Sequence, residues 1–220
     1  MAATDRRPVP AACGASRRGR NRGFSMIEVL VSLIIIQVGL LGLVGTQVMA
    51  QRAESEAYQR AQAVILMQDM VERINANRYY ASCFAYTDPT AGTPYLGVND
   101  ANHYTTTSCS VGANAGMVQA SLDSWDSELQ GAAERDSGGT NKIGAVTSAR
   151  GCVSSSVNAG GYTIYTVAVV WQGQTPLFSP VNFPNVPTGA ANCAKDLYDT
   201  DGTDRQRRLV WTTVQIASLQ

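Results

Sequence analysis

The side chains able to do chemistry are few and far apart. The 220-residue chain has one histidine, His103, in a Thr-rich run, and five cysteines, Cys13, Cys83, Cys109, Cys152 and Cys193. No strained nucleophile turn, phosphate-cradling loop or dinucleotide fingerprint occurs. No cysteine pair has the C-x2-C spacing of a zinc site, and a lone histidine cannot complete one. The most suggestive cluster is Asp199-Thr200-Asp201-Gly202-Thr203-Asp204. Carboxylates alternating around a glycine can wrap a calcium ion, so Asp199, Asp201 and Asp204 are a calcium candidate. The glycine comes too early for the usual loop and the twelfth-position glutamate is missing, so a plain acidic turn is the stronger reading. We expect no catalytic residues and no cofactor.

The elements around these residues decide their environment. From Val29 to Gln51 there is no charged side chain, and 23 residues of helix span about 35 Å, enough to cross a bilayer core. Six arginines and one aspartate precede the run, a net of about +5 that holds the N-terminus in the cytoplasm. The residues after the run are exported. An ordinary secretory signal would end in a small-residue cleavage site after its apolar core. Here the composition breaks before the core, at Gly23, and a helical pattern continues after it.

Glu28 is the anomaly in this segment. A carboxylate near apolar residues in a membrane is costly, of order 2.5–3.5 kcal/mol for an Asp at a helix centre, and calls for a cation. The line Gly23-Phe24-Ser25-Met26-Ile27-Glu28-Val29-Leu30 resembles the processing site of a type IV prepilin. The resemblance implies cleavage between Gly23 and Phe24 by a prepilin peptidase and methylation of the new Phe24 amine. That amine would lie four residues, one helical turn, before Glu28. It also implies that Glu28 pairs with the N-terminal amine of a neighbouring subunit during assembly.

The continuation Val38-Gly39-Leu40-Leu41-Gly42-Leu43-Val44 and Gln47 is similar to the PilV class of minor pilins. Weaker similarity returns in Leu122-Asp123-Ser124-Trp125 and from Tyr162 to Gly173. Major pilins often carry proline where this chain has Gly45. Glycines 39, 42 and 45 each weaken a helix by about 0.5–1 kcal/mol relative to alanine, which would let it loosen on assembly.

Residues 1–23 therefore form a leader, 24–80 a helix that crosses the membrane over about 29–51, and 81–220 an exported head. Without the leader the chain has 11 basic and 16 acidic residues, a balance that disfavours nucleic acid. Arg205, Arg207 and Arg208, interspersed with aspartates, read as a solvated face. Cys13 stays in the cytoplasm. The other four cysteines meet an oxidising compartment, and two disulfides are expected. Of three connectivities, Cys83–Cys109 and Cys152–Cys193 close the shortest loops.

Beyond the membrane segment, Ala53, Ala57, Ala61, Val64, Met67, Val71 and Ile74 recur as one stripe of a 3.6-residue period, predicting that this stripe meets the head. Arg52, Glu54, Glu56, Arg60, Asp69, Glu72 and Arg73 mostly face away. Residues 84–116 read as a long connection, and 117–133 as a short helix with Leu122, Trp125 and Leu129 buried. Strands are predicted over 142–148, 162–172 and 208–217. Between the last two lies a long loop with Pro176, Pro180, Pro184 and Pro187, tied by Cys193. The class is α+β: a long helix against an antiparallel sheet.

The resemblance implies a minor pilin of the inner membrane, single-pass with its head in the periplasm and later part of a surface pilus. Its partners would be prepilin peptidase, other minor pilins, the major pilin and a tip adhesin. A minor pseudopilin of a type II secretion system shares the same anchor. An adhesive or DNA-uptake pilin is the third reading, and the acidic head argues against DNA. An anchored enzyme lacks the necessary chemistry.

Overall fold

A computed structural model describes residues 23–98, 114–132, 137–138, 144, 146–199 and 201–216. His103 and Cys109 lie outside these residues. The chain divides into two units, Met1–Val48 and Met49–Gln220. Helix α1 (Met26–Ala76) starts in the first and ends in the second.

In the first unit every described residue is exposed, Leu30, Ile34, Ile35, Leu40 and Leu41 included. A helix that is apolar all round and covered by none of the described residues needs an apolar surround. Its length and composition suffice to cross a membrane. In lipid the helix is the conformation that satisfies every backbone group within one segment. The few hydroxyls obey the same rule: Ser32 Oγ donates to Glu28 O at 2.8 Å, and Thr46 Oγ1 to Leu43 O at 2.8 Å. A methyl group added at Gly39, Gly42 or Gly45 would meet nothing within 4 Å, so no contact among the described residues demands these glycines.

The second unit holds the C-terminal part of α1, which stops where the Asn77 side chain bonds back to Arg73 O at 2.9 Å. A 3-10 turn (Arg78–Tyr80) and α2 (Ala81–Phe84) come next, then β1 (Leu96–Gly97), α3 (Asn114–Leu129), β2 (Arg150–Val157) and β3 (Thr163–Gln172). A 3-10 turn (Pro180–Asn182), α4 (Thr188–Asn192) and β4 (Arg207–Gln215) complete it. The four strands form an antiparallel sheet in the order β1-β2-β3-β4. The architecture is α+β: a long N-terminal helix followed by a four-stranded antiparallel sheet.

The sheet is buried on both faces. On one, Val153, Tyr165, Val167, Val169 and Trp171 join Met67, Met70 and Ile74 of α1 and Leu122, Trp125 and Leu129 of α3. Trp125 also donates its indole N–H to Leu66 O at 2.9 Å, fixing α3 to α1. Gly151 permits this packing, since a Cβ there would sit 2.2 Å from Trp125 Cη2. On the other face Cys152, Ala168 and Val170 meet Tyr95, Ala190, Cys193, Ala194 and Tyr198. The proline-rich loop is thus a second wall of the head.

Four expectations change. The stripe predicted on α1 meets the head over its second half, where Met67 and Ile74 are buried beside Ala63 and Met70 and where Val64 and Val71 pack against the core, while Ala53, Ala57 and Ala61 are exposed. The apolar core of the head reaches the helix only from Ala63 onward, so the earlier alanines have nothing apolar to meet among the described residues. Nearer the membrane segment the contacts are polar: Gln59 reaches Thr147, and Glu56 accepts from Gln174 N and Arg208. Glu56 and Arg73 are therefore contact residues and do not face away. The strand expected over 142–148 begins instead at Arg150; Thr147 and Ser148 form a turn, and part of the expected span lies outside the described residues. Within the supposed long connection, β1 adds a two-residue edge to the sheet.

Candidate functional site

Gly23 and Phe24 precede α1 in exposed, non-helical backbone, with Phe24 83% exposed. An unfolded, accessible bond is what a peptidase needs. Ser25 starts the helix: its carbonyl accepts from Glu28 N at 3.0 Å. Glu28 lies in the first turn, where the helix dipole favours an anion. Among the described residues no cation pairs with it. The geometry offers an accessible bond and, one turn on, a carboxylate at the mouth of an apolar helix.

The cysteines serve the second wall. Cys152 of β2 and Cys193, just after α4, form a disulfide with Cα atoms 5.8 Å apart. It closes a 41-residue separation and ties the proline-rich loop to the sheet. Cys83, in α2, is disulfide-bonded. Its expected partner, Cys109, lies outside the described residues.

The acidic loop behaves as a turn. Asp199 accepts from Thr203 Oγ1 and from the backbone amides of Arg205 and Gln206. Asp201 accepts from Thr203 N and Oγ1, and these bonds draw its carboxyl below the usual range. Asp204 points elsewhere: it is 2% exposed and meets Arg207 at 2.6 Å. The described residues contain no group of three or more His, Cys, Asp or Glu side chains placed to hold a metal. The three aspartates are not brought together.

Arg207 corrects the reading of a solvated arginine face. It is 1% exposed, and besides Asp204 it donates to Cys193 O at 2.8 Å and Ala191 O at 2.7 Å. It locks the start of β4 to the wall that the disulfide holds. The i,i+3 spacing of Asp204 and Arg207 was the available signal, obscured by the neighbouring charges. Arg150 is a second buried cation. Its guanidinium lies 4.7 Å from the Tyr198 ring centre and 5.3 Å from that of Tyr95, and its Nε donates to Val98 O. Burial pushes the Tyr198 hydroxyl up to about 12 against the opposing pull of Arg150, and that hydroxyl donates to Ser148 O at 3.0 Å. Both cations support the wall; neither faces a reactive group.

Where α1 meets α3, Arg73 binds Asp69 at 2.5 Å and Glu128 at 2.7 Å. Two carboxylates share one guanidinium. For Arg73, burial is outweighed by Asp69 and Glu128, and its pKa rises. Burial, then the charge of Asp69, pushes the Glu128 carboxyl up as well. The cation gains from the cluster and the second carboxylate loses.

Residues 18–44 match a model described as the prokaryotic N-terminal methylation motif. Residues 45–117 match one described as Tt1218-like, type IV pilin Tt1218. No curated protein and no solved structure matches the chain significantly. The methylation motif covers the exposed bond, Glu28 and the first half of the apolar helix. The second match begins at Gly45 and takes in the rest of α1.

Proposed function

We propose that this chain is a type IV pilin, a reading that the matches to the methylation motif and to the Tt1218-like model support, and more closely a minor pilin, cut between Gly23 and Phe24 and methylated on the Phe24 amine. The carrying observation is the accessible Gly23–Phe24 bond one turn ahead of Glu28, at the mouth of a helix whose apolar surface is covered by none of the described residues. The role is structural. The uncovered helix leaves lipid for the apolar interior of a helical bundle without meeting water. Glu28 takes up the amine of a neighbouring subunit, and pairing two charges as they leave water offsets the cost of burying either alone. The head is held in the periplasm and then carried to the cell surface, where its disulfide suits an oxidising environment. The similarity to the PilV class supports a place with other minor pilins that prime the filament.

Purification of the full chain from bacterial membranes, with identification of co-purifying proteins, tests this. Minor pilins and the major pilin are expected, and their loss with Glu28→Ala while the mature chain stays in the membrane. A partner set of type II secretion components would instead make it a pseudopilin.

A further inference from the structure

Among the described residues, nothing pairs with the outer edge of the sheet. In the order β1-β2-β3-β4, β4 pairs only with β3. Gly173 N donates across to Gln206 O, while Gln172 N turns to the opposite side and bonds Thr147 O. From that starting point the antiparallel ladder alternates. Arg208, Val210, Thr212 and Val214 exchange bonds with β3, and Leu209, Trp211, Thr213 and Gln215 aim their backbone groups outward. Among the described residues no hydrogen bond from outside the ladder reaches a backbone group of 209–215. Natural edges are usually blunted by lysine, proline, a bulge or a covering segment. Here residues 209–220 contain no charge, proline or glycine, and β4 pairs with β3 through all nine residues without a bulge.

An apolar groove of about 610 Å3 lies beside this edge, on the face of Leu209 and Trp211, with Leu177, Phe178 and Phe183 on its other side. Phe178 is 80% exposed. The arginines that border the groove are already engaged, Arg207 with Asp204 and Arg208 with Glu56. The surface thus offers unpaired backbone donors and acceptors, an apolar slot and no free charge.

We propose that β4 is a docking edge for an extended, uncharged segment of a different polypeptide, which adds a fifth strand and places an apolar side chain in the groove. An alternating row of backbone N–H and C=O groups is complemented along its length only by another extended backbone. Charge complementarity requires the neutral segment. A second copy of this chain fits poorly. Paired parallel and in register, it would set Arg207 and Arg208 beside their counterparts. Paired antiparallel about Thr212, it would bring Thr213 and Gln215, both polar, to the apolar slot. The sheet's other edge, β1, has two residues and offers no strand to β4.

The test uses the full chain in nonionic detergent and a fluorescent peptide with the sequence Thr163–Val170, capped at both ends and flanked by uncharged Ser-Asn pairs for solubility. This sequence already pairs with the inner edge of β4, and it is independent of whether the chain builds a pilus. Binding is read by polarisation, and amide hydrogen exchange is read residue by residue. Saturable binding is expected, with exchange slowing at Leu209, Trp211, Thr213 and Gln215. Thr213→Pro removes an outward donor and leaves the β3 ladder intact; it should weaken binding about tenfold, whereas Thr213→Val should not. The same peptide with proline at its Val167 position should not bind. Should Thr213→Pro unfold the head, the wild-type exchange pattern decides alone. Absence of binding, equal binding by a folded Thr213→Pro variant, unchanged exchange at the outward amides, or self-association that covers this edge in place of the peptide would each overturn the proposal.

Discussion

Arg207→Met should be among the most destabilising single substitutions in the head. Arg207 is buried, both its Nε and Nη2 meet Asp204 Oδ2, and it satisfies the carbonyls of Ala191 and Cys193. Methionine fills much of the volume and donates nothing. Breaking a buried pair from one side costs about 3–5 kcal/mol, because the other charge stays buried alone. Each carbonyl left without a donor adds about 1 kcal/mol, and the terms overlap since the loop can relax. We expect a loss of about 4–6 kcal/mol, a large part of the roughly 5–15 kcal/mol typical of a domain. Asp204 sits at φ +59°, a conformation that asparagine tolerates. Asn also keeps an acceptor for Asp196 N, now 3.1 Å from Asp204 Oδ1. The double variant Asp204→Asn/Arg207→Met should therefore recover about 2–3 kcal/mol by removing the stranded charge. Urea unfolding of the full chain in detergent, with disulfides intact, measures all three proteins. A cost below about 1 kcal/mol for Arg207→Met, or a double variant no more stable than the single, would refute the reasoning.

Two further outcomes rest on the packing. Gly151→Ala should lower the unfolding midpoint by the equivalent of about 1–3 kcal/mol, because its methyl would enter the ring of Trp125 and also press Leu129, 2.8 Å away; an unchanged midpoint would mean that α3 sits farther from β2. Glu128 has a folded pKa above its ordinary 4.5. Its stabilising contribution is therefore present below that value and is lost as pH rises through the folded pKa. Relative to Glu128→Gln, the wild-type head should lose stability as pH rises above about 4.5; parallel stability curves for the two proteins would contradict this.

Elements with strong local patterns are legible in the sequence, and elements that depend on partners are not. The apolar run, the Leu122-Trp125-Leu129 helix and the β-branched strands β3 and β4 each carry their own periodicity. Arg150-Gly151-Cys152-Val153-Ser154-Ser155-Ser156-Val157 has weak strand character. It is extended because β3 pairs with all eight residues and because Gly151 makes room for Trp125. The stripe of α1 is legible from Val64 to Ile74, whereas its first alanines, Ala53, Ala57 and Ala61, are exposed because the apolar core reaches the helix only from Ala63 onward, which periodicity alone does not show. Arg207 and Asp204 look solvated because composition around them is charged; their burial depends on a wall built from residues distant in sequence. In the candidate site, Gly23, Phe24 and Glu28 can be read directly, since their meaning rests on order along the chain. The groove beside β4 cannot, because Phe178, Phe183 and Trp211 meet only in the fold.

Mass analysis of the N-terminus of the protein purified from bacterial membranes tests the central claim most directly. A mature chain beginning at Phe24, heavier by one methyl group on its amine, is the expected result. An intact Met1, or a terminus between Ala50 and Ala53, would contradict it, because the apolar helix would then be either an uncut anchor or a discarded signal.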